Sequence, residues 1–282
     1  MQSAIPKGRN GTAFLLLIPG VLVVAVFLAG LAITGTTSLS DGHGNWSFRQ
    51  YERFLSDSFY LNYLWRSFRV AAYCTPITLL LGYPFAYVMA RSSRPVRLAL
   101  TLVLVVQFFT SYIVRTYALI LILGNNGIIN RSLLVLGVLD RPLPLLFREL
   151  GVAISLVLVP LPFMIFPIYS VLKNIRPNLE IAAASLGANR FKVFWFVTFP
   201  LSLPGVFAGM VLVFLFDLTA YIMPGMLGGG YFNMVANFIQ EQAMAVLDKP
   251  FACAISIVLL LVTLPILYAI NALGARMSAA GT

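Results

Sequence analysis

The chain has 282 residues, of which 60% are hydrophobic and 10% charged, and its mean hydropathy is +0.92. A soluble core of this length is excluded, because it would need far more polar surface to stay dissolved. A net charge of +10 is no nucleic-acid footprint here, since the basic residues are scattered at the ends of apolar runs and form no patch.

Crossing the hydrocarbon layer takes about 20 residues of helix. Phe14–Ile33, Val70–Ala90 and Gly151–Leu172 qualify without an ionisable residue, and Leu98–Leu123 qualifies with Arg115 inside it. A fifth run, Phe196–Leu218, carries Asp217 near its far end, and a sixth covers Phe251–Leu273. Helices are the expected form, because lipid gives backbone groups no partners and strand-type alternation is absent. The first run is longer than the apolar part of a secretory signal and lacks a clear A-x-A site, so it is read as a retained helix. The prediction is therefore an all-α integral membrane protein, one transmembrane domain over 1–282 with six spans.

The connections have character too. Within 36–62, Phe48, Tyr51, Phe54 and Leu55 recur at helical spacing, which predicts a helix lying at the membrane surface. Residues 124–148 and 225–250, rich in Gly and Pro, read as short re-entrant or capping pieces. Pro76 and Pro84 in the second span and Pro160, Pro162 and Pro167 in the fourth free carbonyls and bend helices, either to line a cavity or to pack.

The most informative segment is LEIAAASLGANRFKVFWFVTFPLSLPG, which begins at Leu179 and ends at Gly205. Asn178 is placed to cap a short helix over about 178–187, with Glu180 in the first turn where a carboxylate suits the dipole. Leu179, Ala182, Ala183 and Leu186 make one small-residue apolar stripe, and Gly187 supplies a left-handed C-cap. Such a helix cannot bury its face alone. It packs on its own domain or docks into another protein.

Orientation comes from the loops. One set of span ends holds Lys7, Arg9, Arg91, Arg94, Arg97, Lys173, Arg176, Arg190, Lys192 and Arg276 against the single acid Glu180. The other holds Arg49, Arg53, Arg66, Arg69, Arg131, Arg141, Arg148 and Lys249, offset by Asp41, Glu52, Asp57, Asp140, Glu149, Glu241 and Asp248. Short basic connections face the cytoplasm. Both termini and the alanine-rich helix are accordingly expected there.

Enzyme chemistry is nearly absent. There is no GxxxxGK[ST], and Gly228-Gly229-Gly230 has no lysine beside it, so no nucleotide cradle exists. The sole histidine, His43, reads as part of a solvated turn, and Cys74 and Cys253 form neither a CxxC nor a metal set. Two intramembrane charges remain, each costing about 2.5–3.5 kcal/mol at mid-bilayer on insertion scales. Arg115 and Asp217 either pair with one another or with backbone carbonyls, or Asp217, with Tyr221 four residues on, lines a path for a cationic solute.

The segment from Leu179 to Gly205 resembles the cytoplasmic loop of bacterial ABC importer permeases, whose pattern runs E-A-A-x-x-x-G, about nine residues, then I-x-L-P. Ala182 and Ala183 fall on the two alanines, Leu186-Gly187-Ala188 on the glycine turn, Phe199-Pro200 on L-P, and Pro204-Gly205 on a common extension. The family's glutamate position is occupied by Ile181, and the acid here is Glu180, one residue earlier. A step of one residue turns a helical side chain by about 100 degrees, so the family glutamate's role is not carried to Glu180. LGYPFAYVMA (81–90), SYIVRTYAL (111–119), LPFMIFPIYS (161–170) and YIMPGMLGGG (221–230) resemble the polyamine branch, the B-type permeases of spermidine/putrescine importers.

The resemblance implies a type I ABC importer permease fold with a cytoplasmic coupling helix. It implies two permease subunits around a path, an ATPase dimer that docks Glu180, Ile181, Ala182, Ala183, Leu186, Gly187, Ala188 and Arg190, and a periplasmic or lipid-anchored solute-binding protein. ATP and Mg would sit on the ATPase, with no cofactor, catalytic residue or nucleic acid on this chain. Permeases for opines, phosphonates or amino-acid-like solutes share these features and stay open as alternatives. An ion-coupled secondary transporter would show coupling carboxylates and pseudo-repeats, and a membrane enzyme clustered His, Asp or Glu; neither pattern is present.

The topology is testable by cysteine labelling with Cys74 and Cys253 replaced by serine. Cysteine at Ala188 is expected to react only from the cytoplasmic side and at Asn45 only from outside; the opposite pattern overturns the orientation.

Overall fold

Lipid leaves a backbone N–H or C=O no partner, so a chain this apolar must close its hydrogen bonds within helices. The computed structural model describes residues 10–40 and 45–280, with side chains at 18–40 and 45–277, and among these no strand forms. His43, Asp41, Lys7 and Arg9 lie outside the described residues. In chain order the helices are α1 (Asn10–Ser38), α2 (Arg49–Ser56), α3 (Ser58–Arg91), α4 (Arg94–Phe109), α5 (Tyr112–Leu123), α6 (Ile128–Val135) and α7 (Glu149–Leu158). Then come α8 (Leu161–Asn174), α9 (Pro177–Ser185), α10 (Arg190–Val193), a π-helical turn (Phe194–Thr198), α11 (Phe199–Thr219), α12 (Ile222–Leu227), α13 (Val235–Met244) and α14 (Lys249–Ala280).

Six helical stretches are long and apolar enough to cross a membrane: Ile18–Ser38, Ser58–Arg91, Tyr112–Val135, Glu149–Asn174, Arg190–Thr219 and Lys249–Met277. Their bounds differ from the expected ones for physical reasons. The second begins well before Val70, because Asp57 caps α3 by accepting from the Phe59 N–H at 2.8 Å. The expected span 98–123 is divided: Thr110 and Ser111 are extended, α5 restarts at Tyr112, and apolar helix continues through a turn at Gly124–Gly127 into α6. The fourth, expected over 151–172, breaks at Val159–Pro160, where a proline lacks the N–H that would continue α7. By contrast, α3 runs unbroken through Pro76 and Pro84.

At the centre α3, α8 and α11 pack against one another. Gly205 and Gly209, four apart on α11, let its backbone close on α8. A Cβ at Gly205 would sit 2.8 Å from the Pro167 carbonyl oxygen, and one at Gly209 would sit 2.8 Å from the Met164 sulfur. This is the small-xxx-small device of membrane helices, where close approach replaces a hydrophobic driving force. Gly82 on α3 meets the same Met164 from the other side. Around this seam Met89, Leu104, Met164, Ile168, Leu172 and Val213 are buried.

Two further clusters fix the remaining elements. Val70, Cys74, Leu123, Val152, Leu156, Met223 and Leu227 join α3, α5, α7 and α12. Phe54, Phe238 and Phe251, with Tyr60 and Tyr63, clamp α2 and α13 onto the start of α14. A helix does form within the expected stretch 36–62, as α2. Of its four spaced apolar residues, Phe54 is buried and Tyr51 bonds Ser38 at 2.6 Å, whereas Phe48 and Leu55 stay exposed. Arg53 strengthens the clamp, reaching Asp248 at 3.0 Å and lying 4.0 Å over the Phe251 ring. Partial burial pulls its guanidinium pKa down, but hydrogen bonds to Tyr60 and Asp248 outweigh that and hold it above the usual value. The loop after α6 is pinned by buried Asn130, which donates to the carbonyls of Gly124 and Leu143 and accepts from the Leu143 N–H. α1 packs on α14 and leaves Val21, Phe27 and Leu28 exposed.

The α8–α11 contact gives a graded prediction. Gly205→Ala presses on fixed backbone and should cost about 1–3 kcal/mol, read as a lower Tm in detergent. Gly209→Ala meets first the end of a flexible Met side chain and should cost less; equal losses would contradict the geometry.

Candidate functional site

Two places carry the chemistry: α9 with its surroundings, and the charges within the spans.

Arg176 is extended ahead of Pro177, whose ring fits the first helical position, so α9 begins without a side-chain cap. The cap expected from Asn178 is therefore not used; proline at N1 moves the start one residue earlier. At the other end Gly187 has φ of +84°, the left-handed conformation that glycine adopts most readily. The N–H groups of Gly187 and Ala188 bond the carbonyls of Ala184 and Ala183, at 3.0 and 3.2 Å, closing a Schellman motif. Asn189 then caps α10 by accepting from the Lys192 N–H at 2.8 Å.

No residue of α9 is buried. Leu179, Ile181 and Ala182 are exposed, and Leu186 is 90% exposed. The expected stripe is thus split: Leu179, Ala182 and Leu186 face outward, while Ala183 is half-buried. Beneath α9 lies an open cleft of about 420 Å³, lined by Tyr87, Glu180, Ile181, Ala184, Ala188, Arg190, Phe194 and Thr198. Glu180 turns into it. Its carboxylate pairs with Arg91 at the end of α3 and accepts from the Thr198 hydroxyl at 2.8 Å. The sequence reading took Arg91 only as a basic span end and missed Thr198, because nothing in a linear pattern announces an ion pair 89 residues apart.

The intramembrane charges do not meet. Arg115 folds back to the carbonyls of Gln107 and Thr110 and lies 5.5 Å over the Tyr112 ring. It serves the orphan carbonyls that the break between α4 and α5 creates, where a cation also suits the negative helix end. Asp217 is fully buried near the end of α11, and neither carboxylate oxygen has a hydrogen-bond partner among the described residues. Phe214 and Leu218, flanking it along α11, pack on Ala71 of α3. Close by, where α11 breaks into α12, a cleft of about 180 Å³ is lined by Tyr112, Phe216, Thr219, Ala220, Tyr221 and Met223. Tyr112 stacks on Phe216 at 6.1 Å, and Tyr221 is half-exposed with its carbonyl held by Asn237 at 2.5 Å. The cleft therefore adds Tyr112 and Phe216 to the candidate path residue Tyr221. Aromatic faces of this kind attract ammonium groups. Among the described residues no cluster of three or more His, Cys, Asp or Glu could hold a metal ion.

The two charges should behave independently. Arg115→Ala strands carbonyls and should cost about 1–3 kcal/mol, whereas Asp217→Asn breaks no bond and should change stability by less than about 1 kcal/mol. In the double variant the effects should add to within about 0.5 kcal/mol; a clear coupling in the unfolding measurements would show that the two groups meet.

Residues 82–279 match the family described as the binding-protein-dependent transport system inner membrane component. The chain is 36% identical over 250 residues to the spermidine/putrescine transport system permease protein PotB of Escherichia coli K12, covering 87% of this chain and 90% of the relative. The PotB protein of Haemophilus influenzae is 35% identical over 249 residues, covering 86% and 83%. In fold the chain is similar to a bacterial ABC transporter involved in the import of the acidic polysaccharide alginate, with TM-score 0.71, 17% identity and 95% of this chain and 96% of that one covered.

Proposed function

The chain belongs to the binding-protein-dependent transport system inner membrane component family, and on that premise we propose that it passes a small polycation of the spermidine/putrescine class through the inner membrane. It is a multi-pass permease subunit of an ABC importer. The observation that carries the solute class is the likeness, over nearly the whole length, to spermidine/putrescine permeases. Two separate features supply suitable chemistry: a fully buried carboxyl without a partner at Asp217, and an aromatic cleft, not lined by Asp217, at Tyr112, Phe216 and Tyr221. A charged amine in a low-dielectric path is stabilised by a carboxylate and by ring faces.

The ATP-binding step belongs to a partner. A helix that leaves an apolar face uncovered, with Leu179, Ile181 and Leu186 exposed, fits a groove on a separate ATPase subunit that holds ATP and Mg. Arg190 and Lys192 beside it suit acidic groove rims. A second permease completes the path, and a periplasmic binding protein delivers solute on the face opposite α9. Closure of the ATPase pair swings α9 and moves the path between its inward and outward openings, with both termini on the cytoplasmic side.

The test is the assembled importer in proteoliposomes. Asp217→Asn is expected to lower spermidine uptake about tenfold, the scale of one lost hydrogen bond to a charged group, while ATPase assembly is unchanged. Gly187→Pro should leave the chain in the membrane and uncouple hydrolysis from uptake. A companion binding protein that is thermally stabilised by a sugar or an anion and ignores diamines would refute the polyamine reading.

A further inference from the structure

The contacts on the inner side of α9 assign Glu180 a second job, and this inference rests on the docking reading just given. We propose that Glu180 is a positioning residue that ties α9 to α3 and α11 at once, so that movement of the docked helix is delivered to both spans through one carboxylate.

Orientation comes first. The docking face of α9 is apolar and outward, and Glu180 points the other way, with its side chain 22% exposed. A residue turned inward serves its own chain before it serves a partner. Its two contacts lie on different spans: Arg91 ends α3, and Thr198 ends the π-helical turn that leads into α11.

Thr198 differs from several other threonines within the helices in that its hydroxyl makes no bond to its own helix. The buried or half-buried threonines 75, 78, 101, 116 and 263 each donate to the carbonyl four residues earlier in their own helix. The Thr198 hydroxyl, 1% exposed, instead reaches across to Glu180. A π-helical turn carries an extra residue and is often found at functional sites. Here it places a buried donor under the coupling helix.

The tie also continues inward. Tyr83, Tyr87 and Arg91 follow one another along α3 at four-residue steps, one face of the helix. Tyr87 and Tyr83 meet the Phe194 ring edge-on at 5.7 and 5.8 Å, and the Tyr83 and Ser202 hydroxyls bond at 2.9 Å. A polar and aromatic seam therefore runs from α9 into the junction of α3 and α11. It differs from the backbone-tight α8–α11 contact in that its hydrogen bonds can break and re-form. The open cleft around Glu180 gives α9 room to tilt.

The experiment uses the complete importer in proteoliposomes, reading ATPase copurification, ATP hydrolysis and uptake together. Glu180→Gln and Arg91→Gln are each expected to keep the ATPase bound and active while raising ATP consumed per solute about tenfold, with the double variant no worse than either. Thr198→Val should raise the ratio and Thr198→Ser should keep it at wild type. The exchange Glu180→Arg with Arg91→Glu should recover most of the coupling. Loss of ATPase copurification in Glu180→Gln, an unchanged ratio, or additive losses in the double variant would each overturn the proposal. A wild-type chain that copurifies with no ATPase would instead remove the docking reading itself, which is a separate and recognisable result.

Discussion

The close approach of α11 to α8 at Gly205 and Gly209 holds the molecule together. In lipid there is no gain from hiding one apolar surface against another, so association depends on how near two backbones can come and how many atoms then touch. Two glycines on one face allow that, and Met164 fills the remaining space between α11 and Gly82 of α3. With α3, α8 and α11 fixed, the ends of α3 and α11 are brought under α9, and Asp217 is carried into the interior. Displacing α11 would disturb all of these positions.

Around that seam, several breaks between helices are answered by a nearby side chain. Arg115 serves carbonyls where α4 stops, Asn130 clamps the loop after α6, and Asn237 holds the Tyr221 carbonyl where α11 gives way to α12. Irregular backbone is tolerated at such depth only when its groups are satisfied by the protein or a cavity. Arg115 Nε and Gln242 Oε1 are also buried without a partner, but among the described residues Asp217 is the one with both oxygens of a carboxyl left unbonded. A costly group without a structural partner is the kind of residue that function retains.

Fold and solute are separate matters here. A transporter of an acidic polysaccharide has a similar architecture at 17% identity, whereas relatives at 36% identity carry spermidine and putrescine in their names. The helical frame is set by the bilayer and by small-residue packing, which do not depend on the charge of what passes. A frame of this kind does not by itself fix which solute it serves.

By itself, the sequence determined that this is a helical membrane protein with six apolar stretches, a glycine-ended helix after the fourth, and two charges buried in lipid-length runs. Those features follow from local quantities: hydrophobic length, proline and glycine conformation, and charge at span ends. The turn at Gly187 and the presence of a helix at α2 were legible for that reason. The first helical residue of α9 and the division of the third span were missed although their causes, Pro177 and the extended pair Thr110–Ser111, are local; the inward turn of Glu180 was not legible, because it depends on Arg91, 89 residues away. Only the tertiary structure decided that Arg115 serves its own broken helix and leaves Asp217 alone, and that Arg91, Thr198 and Glu180 meet. A pattern along one chain records which side chains lie on a face, but it takes the packing of α3, α8 and α11 to say what that face meets.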